Sequence, residues 1–110
     1  MFISEADWRA ILDNNLSSTI MVCQAVAKHM IAEELPGRIV TVSSDAAYLA
    51  NDHGSQAIYA TSKAAVNHYS KALAQQLRWH PPPRPAFSLA LEQGYNCTCA
   101  LIQSLTLHHR

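Results

Sequence analysis

Apolar residues recur with helical spacing in the first third of the chain. Ser4, followed by Glu5 and Asp7, supplies a capping hydroxyl and first-turn acids, the usual start of a helix. The apolar positions that follow are Ile11, Leu12, Leu16, Ile20, Cys23, Val26, Ala27, Met30 and Ile31. This spacing predicts a helix over about 5–33, ended by Pro36-Gly37.

Four polar residues interrupt that helical pattern. Asn14, Asn15, Ser17 and Ser18 have side chains that compete for backbone hydrogen bonds, so they weaken a helix locally. We therefore expect a kink or break near Asn15.

A short β-branched run comes next. Residues 38–44 predict a buried strand, 45–55 have the composition of a loop, and 56–78 predict a second helix rich in alanine. A single strand leaves its backbone groups unpaired. The order helix, strand, helix thus predicts that further strands come from sequence outside this one or from another chain.

The composition changes after Trp79. Pro81, Pro82, Pro83 and Pro85 cannot continue a helix. The leucines beyond them fit a short helix or a short strand equally well, and the pattern does not decide between the two. We divide the chain into 1–79 and an 80–110 segment consisting of a proline-rich linker and an irregular tail.

Charge and cysteine content exclude several classes of protein. Lys+Arg and Asp+Glu number 8 each, so the net charge gives no reason to expect nucleic acid or an anionic membrane as a partner. No apolar run approaches the length of a membrane span. Three cysteines without a secretory signal do not indicate a disulfide framework. We expect a cytoplasmic protein.

Tyr59 and Lys63 share one face of the second predicted helix, one turn apart. An ammonium close to a phenol stabilises the phenolate, which makes a tyrosine usable for proton transfer near neutral pH. The bare pair is unspecific, because a surface tyrosine stacked on a lysine stem has the same spacing.

The surroundings of the pair are more specific. A strand ending in Ser43-Ser44 precedes Tyr59-Ala-Thr-Ser-Lys63, and Asn15 lies in a helix upstream. This order, over about residues 4–79, resembles the short-chain dehydrogenase/reductase family. The resemblance implies an α/β fold, here a partial Rossmann-type (doubly wound) helix-strand-helix unit.

The resemblance also implies roles for four residues. Tyr59 would be the general acid/base, and Lys63 would support it and bind the nicotinamide ribose. Ser44 would bond the reacting oxygen, and Asn15 would hold a water in the proton relay. Ser43 is the weaker candidate for the serine role and Asn14 for the asparagine role. The interval from Ser44 to Tyr59 is slightly longer than usual in the family.

Several family features are not found in these 110 residues. The Gly-rich phosphate-binding loop is missing, and with it the residue that selects NAD or NADP. The family's downstream strand with its Pro-Gly turn is not recognisable after Trp79. We therefore expect an incomplete cofactor site and an isolated chain that is inactive.

Two functions remain open at this point. One is a segment of an NAD(P)-dependent oxidoreductase that interconverts a small-molecule alcohol and a carbonyl, able to form a homo-oligomer through the two long helices. The other is a non-catalytic truncated isoform or gene fragment, either inert or associated with full-length family members. The substrate is not readable from the sequence.

A metal site has little support in the sequence. His80, Cys97, Cys99, His108 and His109 follow none of the common zinc spacings. We expect no metal.

Overall fold

The computed structural model describes residues 3–35, 37–49, 56–78 and 87–94, the last range for its backbone only. Helix α1 spans Glu5–Leu12, a π-helical turn spans Asp13–Ser17, and helix α2 spans Ser18–Ala32. Strand β1 spans Gly37–Ser44 and is followed by a 3₁₀ turn at Asp45–Ala47. Helix α3 spans Ala57–Arg78 and strand β2 spans Phe87–Gly94.

The start and the interruption of the first helix are both confirmed. The Ser4 hydroxyl accepts a hydrogen bond from the Asp7 backbone N–H at 3.2 Å, as an N-cap does. The predicted kink near Asn15 is the π-helical turn, in which the backbone is wound more loosely than in an α-helix. An α-helix resumes directly beyond the turn, so α1 and α2 form one interrupted rod.

Helix α2 ends in a Schellman motif. The Leu35 backbone N–H donates to the Met30 carbonyl at 2.9 Å, and the Glu34 N–H donates to the Ile31 carbonyl at 3.4 Å. Glu34 adopts a left-handed backbone with φ of 53°, a conformation usually taken by glycine. This tight reversal lets the chain enter β1 directly after the helix.

One face of β1 packs against the helices and the other is open. Ile39, Thr41 and Ser43 are buried, whereas Val40 and Val42 are 53% and 57% exposed. The strand period of two places these sets on opposite faces. The core lies between β1 and helices α2 and α3, and it contains Cys23, Ala27, Ile39 and Leu73. The described part of the chain is therefore two layers, with helices on one side of the sheet.

The expectation that β1 lacks a ladder partner is wrong. Strand β2 pairs with β1 in parallel, in a register that sets Gly37 opposite Phe87 and Ser44 opposite Gly94. Helix α3 connects the two strands, and this βαβ unit is the smallest element of a doubly wound fold. The partial Rossmann-type unit is thus confirmed, and the tail is not wholly irregular.

The sequence did not reveal β2 for two physical reasons. Its alternation of Phe87, Leu89 and Leu91 with Ser88, Ala90 and Glu92 is short, and the family's proline before the terminal glycine is absent at Gln93-Gly94. The proline run 81–85 lies outside the described residues.

Truncating a side chain on the buried face of β1 should lower the free energy of unfolding more than truncating one on the open face. Ile39→Ala should lower the free energy of unfolding by about 2–4 kcal/mol, because it leaves a cavity in the core. Val40→Ala, its matched control on the open face, should cost less than about 1 kcal/mol. Urea denaturation followed by circular dichroism measures both. Equal losses for the two variants would show that the faces are assigned wrongly.

Candidate active site

Asn15 lies on the π-helical turn and bonds directly to α3. Its side-chain Nδ2 donates to the Ser62 Oγ at 3.1 Å. Ser62 is fully buried, and its Oγ donates to the Tyr59 backbone carbonyl at 2.7 Å. The extra residue of a π turn changes the direction of side chains around it. This short chain of bonds therefore ties Asn15 to the first turns of α3.

The two serines at the end of β1 have different surroundings. The Ser43 hydroxyl donates to the Lys63 backbone carbonyl at 3.3 Å, so it fastens the strand to α3. The Ser44 hydroxyl accepts from the Ala46 N–H at 3.2 Å and donates to the Asp45 carboxylate at 3.0 Å. Ser44 caps the 3₁₀ turn that leaves the strand.

The Lys63 ammonium lies between the strand end and the tyrosine. Its Nζ donates to the Val42 carbonyl at 3.2 Å and stands 5.8 Å from the centre of the Tyr59 ring. A cation at this distance from an aromatic face is attracted to it. Lys63 and Tyr59 are both half-buried, so the pair faces solvent only in part.

A groove of about 360 Å³ is lined by two of the four candidate residues, Asn15 and Lys63. Asn14, Asn15 and Lys63 lie at its polar end, and Val22 and Val26 of α2 line the rest. The structure thus brings Asn15 and Lys63 to one groove, with Tyr59 joined to both through Ser62 and the cation contact. Among the hydrogen bonds of the described residues, none links Ser44 to the other three.

Two further ionisable groups lie beside the groove, in the core. Burial raises the pKa of the Cys23 thiol above its ordinary value of 9.0, so the thiol stays neutral. Burial, and to a lesser degree the nearby Cys23, raises the pKa of Tyr69 above 10.0. The Tyr69 hydroxyl donates to the Ile20 carbonyl at 3.4 Å, which joins α3 to α2. These groups serve packing.

The described ranges contain no cluster of His, Cys, Asp and Glu that would hold a metal ion. His80, Cys97, Cys99, His108 and His109 lie outside those ranges. Within the same ranges, none of the helices combines the length and apolar character needed to cross a membrane.

Comparison with known proteins decides the family. The family model described as short chain dehydrogenase matches residues 1–81. The chain belongs to the short-chain dehydrogenase family. Cyclohexanol dehydrogenase of Rhodococcus sp. is 45% identical over 67 residues, which are 61% of this chain and 24% of the relative.

Two other relatives show similar coverage. D-erythrulose reductase of Gallus gallus is 44% identical over 69 residues, covering 62% of this chain and 27% of that protein. The 3-oxoacyl-[acyl-carrier-protein] reductase of Escherichia coli is 35% identical over 77 residues, covering 70% of this chain and 30% of that protein. The matched part of the chain therefore spans 24–30% of the length of these relatives.

Sequence reasoning missed Ser62, whose hydroxyl bonds the Asn15 side chain to α3. Ser62 lies inside the Tyr59–Lys63 interval, where small polar residues on a helix are unremarkable. Its importance comes from full burial beside Asn15, a residue 47 positions away in sequence. A local sequence pattern cannot indicate a contact between residues so far apart in the chain.

Because the Ser62 hydroxyl is buried and hydrogen-bonded, we expect its removal to lower the free energy of unfolding. Ser62→Ala leaves the Asn15 amide without its acceptor and should cost about 1–3 kcal/mol. Thr61→Ala, the neighbouring control, removes only an exposed bond to the Ala57 carbonyl and should cost under about 1 kcal/mol. Paired urea titrations give both values. A smaller loss for Ser62→Ala than for Thr61→Ala would contradict the tie between Asn15 and α3.

Proposed function

We propose that this chain supplies the proton-transfer side of an NAD(P)-dependent oxidoreductase that interconverts an alcohol and a carbonyl. The observation that carries the proposal is Lys63, whose ammonium stands beside the Tyr59 ring at the end of a parallel strand. The carboxyl ends of parallel strands are where doubly wound folds bind their ligands. Family membership supports the same reaction class.

Each of the four residues has a separate task in this proposal. The Tyr59 hydroxyl delivers a proton to, or takes it from, the substrate oxygen, and the Lys63 ammonium lies beside the Tyr59 ring. The Ser44 hydroxyl donates to the same oxygen and fixes its position. Asn15 orients a water that returns the proton through Lys63.

Ser44 is favoured over Ser43, and Asn15 over Asn14, by their contacts. The Ser43 hydroxyl is committed to the backbone of α3, whereas Ser44 sits where the strand ends. Asn15 is bonded to the turn that carries Tyr59, whereas Asn14 is exposed. The Ser44 hydroxyl is bonded only within its own turn, to the Asp45 carboxylate and the Ala46 N–H, so turning it toward a substrate leaves the contact between β1 and α3 intact.

The residues present fit one end of a nicotinamide cofactor. The Lys63 ammonium and the Asn15 amide are donors suited to ribose hydroxyls, and both line the groove. The Gly-rich loop that would bind the pyrophosphate does not occur in these residues. When bound, NAD or NADP donates or accepts hydride at the substrate carbon.

The competing proposal is a non-catalytic chain that associates with other family members. It is favoured by the Lys63 bond to the Val42 carbonyl, which engages the ammonium within the protein. The two proposals differ in whether the chain completes an active site once the rest of the domain is supplied. A cytoplasmic location is part of both proposals, whereas a small-molecule substrate belongs to the catalytic proposal alone.

A chimaera tests the catalytic proposal. The part of the Rhodococcus cyclohexanol dehydrogenase that precedes its matched segment would be joined to this chain, and NAD(P)-dependent turnover measured with cyclohexanol and other alcohols. Tyr59→Phe should lower kcat by about 10²–10⁴-fold, because the proton donor is removed. Tyr69→Phe, the control on the same helix, should retain activity. A folded chimaera without turnover would favour the non-catalytic proposal instead.

A further inference from the structure

The hydroxyl of Ser62 has a single hydrogen, and that hydrogen is used inside α3. The Ser62 Oγ donates to the Tyr59 backbone carbonyl at 2.7 Å, three residues earlier in the helix. Ser62 is fully buried, so bulk solvent offers the hydroxyl no alternative acceptor. A hydroxyl whose hydrogen is engaged can only accept from a further partner. Ser62 therefore presents a lone pair, and not a hydrogen, to the side chain that lies against it.

That side chain is Asn15, and the Ser62 lone pair determines which way its amide is turned. The Asn15 Nδ2 donates to the Ser62 Oγ at 3.1 Å. With the amide reversed, the Asn15 Oδ1 would face the Ser62 oxygen. The two acceptors would then repel each other unless Ser62 withdrew its hydrogen from the Tyr59 carbonyl. Because reversal replaces two hydrogen bonds by one, the buried hydroxyl selects one of the two amide orientations.

The selected orientation leaves the Asn15 Oδ1 as an acceptor without a partner. Within the described part of the chain, no group donates to this oxygen, and the one buried side-chain polar atom that lacks a partner is the Oδ1 of Asn67. The Asn15 Oδ1 is therefore not buried. Because Asn15 lines the groove together with Lys63, this oxygen is available to a molecule at the polar end of the groove.

The backbone carbonyl of Asn15 is engaged separately. The Thr19 Oγ1 donates to that carbonyl at 2.7 Å, across the π-helical turn. The side-chain oxygen is thus the acceptor that Asn15 has left for a molecule in the groove. Lys63 supplies hydrogen-bond donors at the same end. A water placed there can accept from the Lys63 ammonium and donate to the Asn15 Oδ1.

We propose that Ser62 is a positioning residue of the proton relay, because it holds the Asn15 amide with Oδ1 toward a water or hydroxyl that also accepts from Lys63. The molecule held there must both donate and accept, which a water or a sugar hydroxyl does and a carbonyl oxygen does not. The second Nδ2 hydrogen of Asn15 remains a donor. The relay part of this inference rests on the proposed function, whereas the amide orientation does not.

Nuclear Overhauser contacts in the ¹³C,¹⁵N-labelled full chain test the amide orientation without any substitution. The Asn15 Nδ2 hydrogens should give cross-peaks to the Ser62 β-hydrogens. They should also exchange with water at least about tenfold more slowly than the Nδ2 hydrogens of the exposed Asn14, the internal control. Missing cross-peaks, or exchange as fast as at Asn14, would show that Ser62 does not hold the amide and would overturn the proposal.

Matched variants show whether the Ser62 hydroxyl causes the orientation. Ser62→Ala removes the acceptor, so exchange at the Asn15 Nδ2 should rise to the rate seen at Asn14. Thr61→Ala, which removes an exposed bond to the Ala57 carbonyl, should leave that exchange unchanged. Protected backbone amides in β1 show that each variant is folded. Slow exchange retained in folded Ser62→Ala would refute the proposal, and if that variant does not fold, the wild-type cross-peaks decide.

Turnover of the chimaera with the Rhodococcus relative tests the relay. Ser62→Ala should lower kcat at least about tenfold with KM unchanged, because a misoriented Asn15 interrupts proton return. Added imidazole should restore most of that loss, since a soluble buffer can replace the relay, and should not restore Tyr59→Phe. An unchanged kcat, or a loss that imidazole does not restore, would overturn the relay role. A chimaera inactive with Ser62 in place counts against the proposed function, and the cross-peaks then decide the positioning of Asn15.

Discussion

The packing of the buried face of β1 against α3 is the interaction on which the rest of the structure depends. Thr41 and Ser70 join their hydroxyls at 2.8 Å in the core, and Ser43 bonds the Lys63 backbone at 3.3 Å. Buried polar groups that satisfy one another fix the register of two elements more narrowly than apolar contact does. This register fixes where Lys63 and Tyr59 lie along the strand direction, relative to the end of β1.

The π-helical turn adds the second constraint. The side chain of Asn15 reaches α3 from a helix that otherwise runs past it, through its bond to Ser62. A regular α-helix over the same residues would rotate every later side chain of α2 relative to the core. The π-helical turn therefore sets the orientation of the α2 side chains and also allows Asn15 to bond to Ser62.

The sequence predicted the elements that have strong local signals. The Ser4 cap, the break near Asn15, the β-branched run ending at Ser44 and the helix carrying Tyr59 all appear where they were expected. The family resemblance over the first part of the chain was likewise correct. These features depend on neighbours in sequence, and such neighbours are visible without a structure.

Features that depend on distant contacts were not predictable. Strand β2 is identified by its pairing with β1, and Ser62 by its bond to Asn15, which is 47 positions away in sequence. The convergence of Asn15, Ser44, Tyr59 and Lys63 on one substrate remains a prediction.

Cofactor binding by the isolated chain tests the central claim most directly, namely that these residues hold the proton-transfer side of the site without the phosphate-binding side. The purified 110-residue chain would be titrated with NADH and NADPH while nicotinamide fluorescence is followed. Positioning of a nicotinamide in this fold requires the Gly-rich turn, so no saturable binding is predicted up to millimolar cofactor. Saturable binding, with turnover that Tyr59→Phe abolishes, would contradict the account.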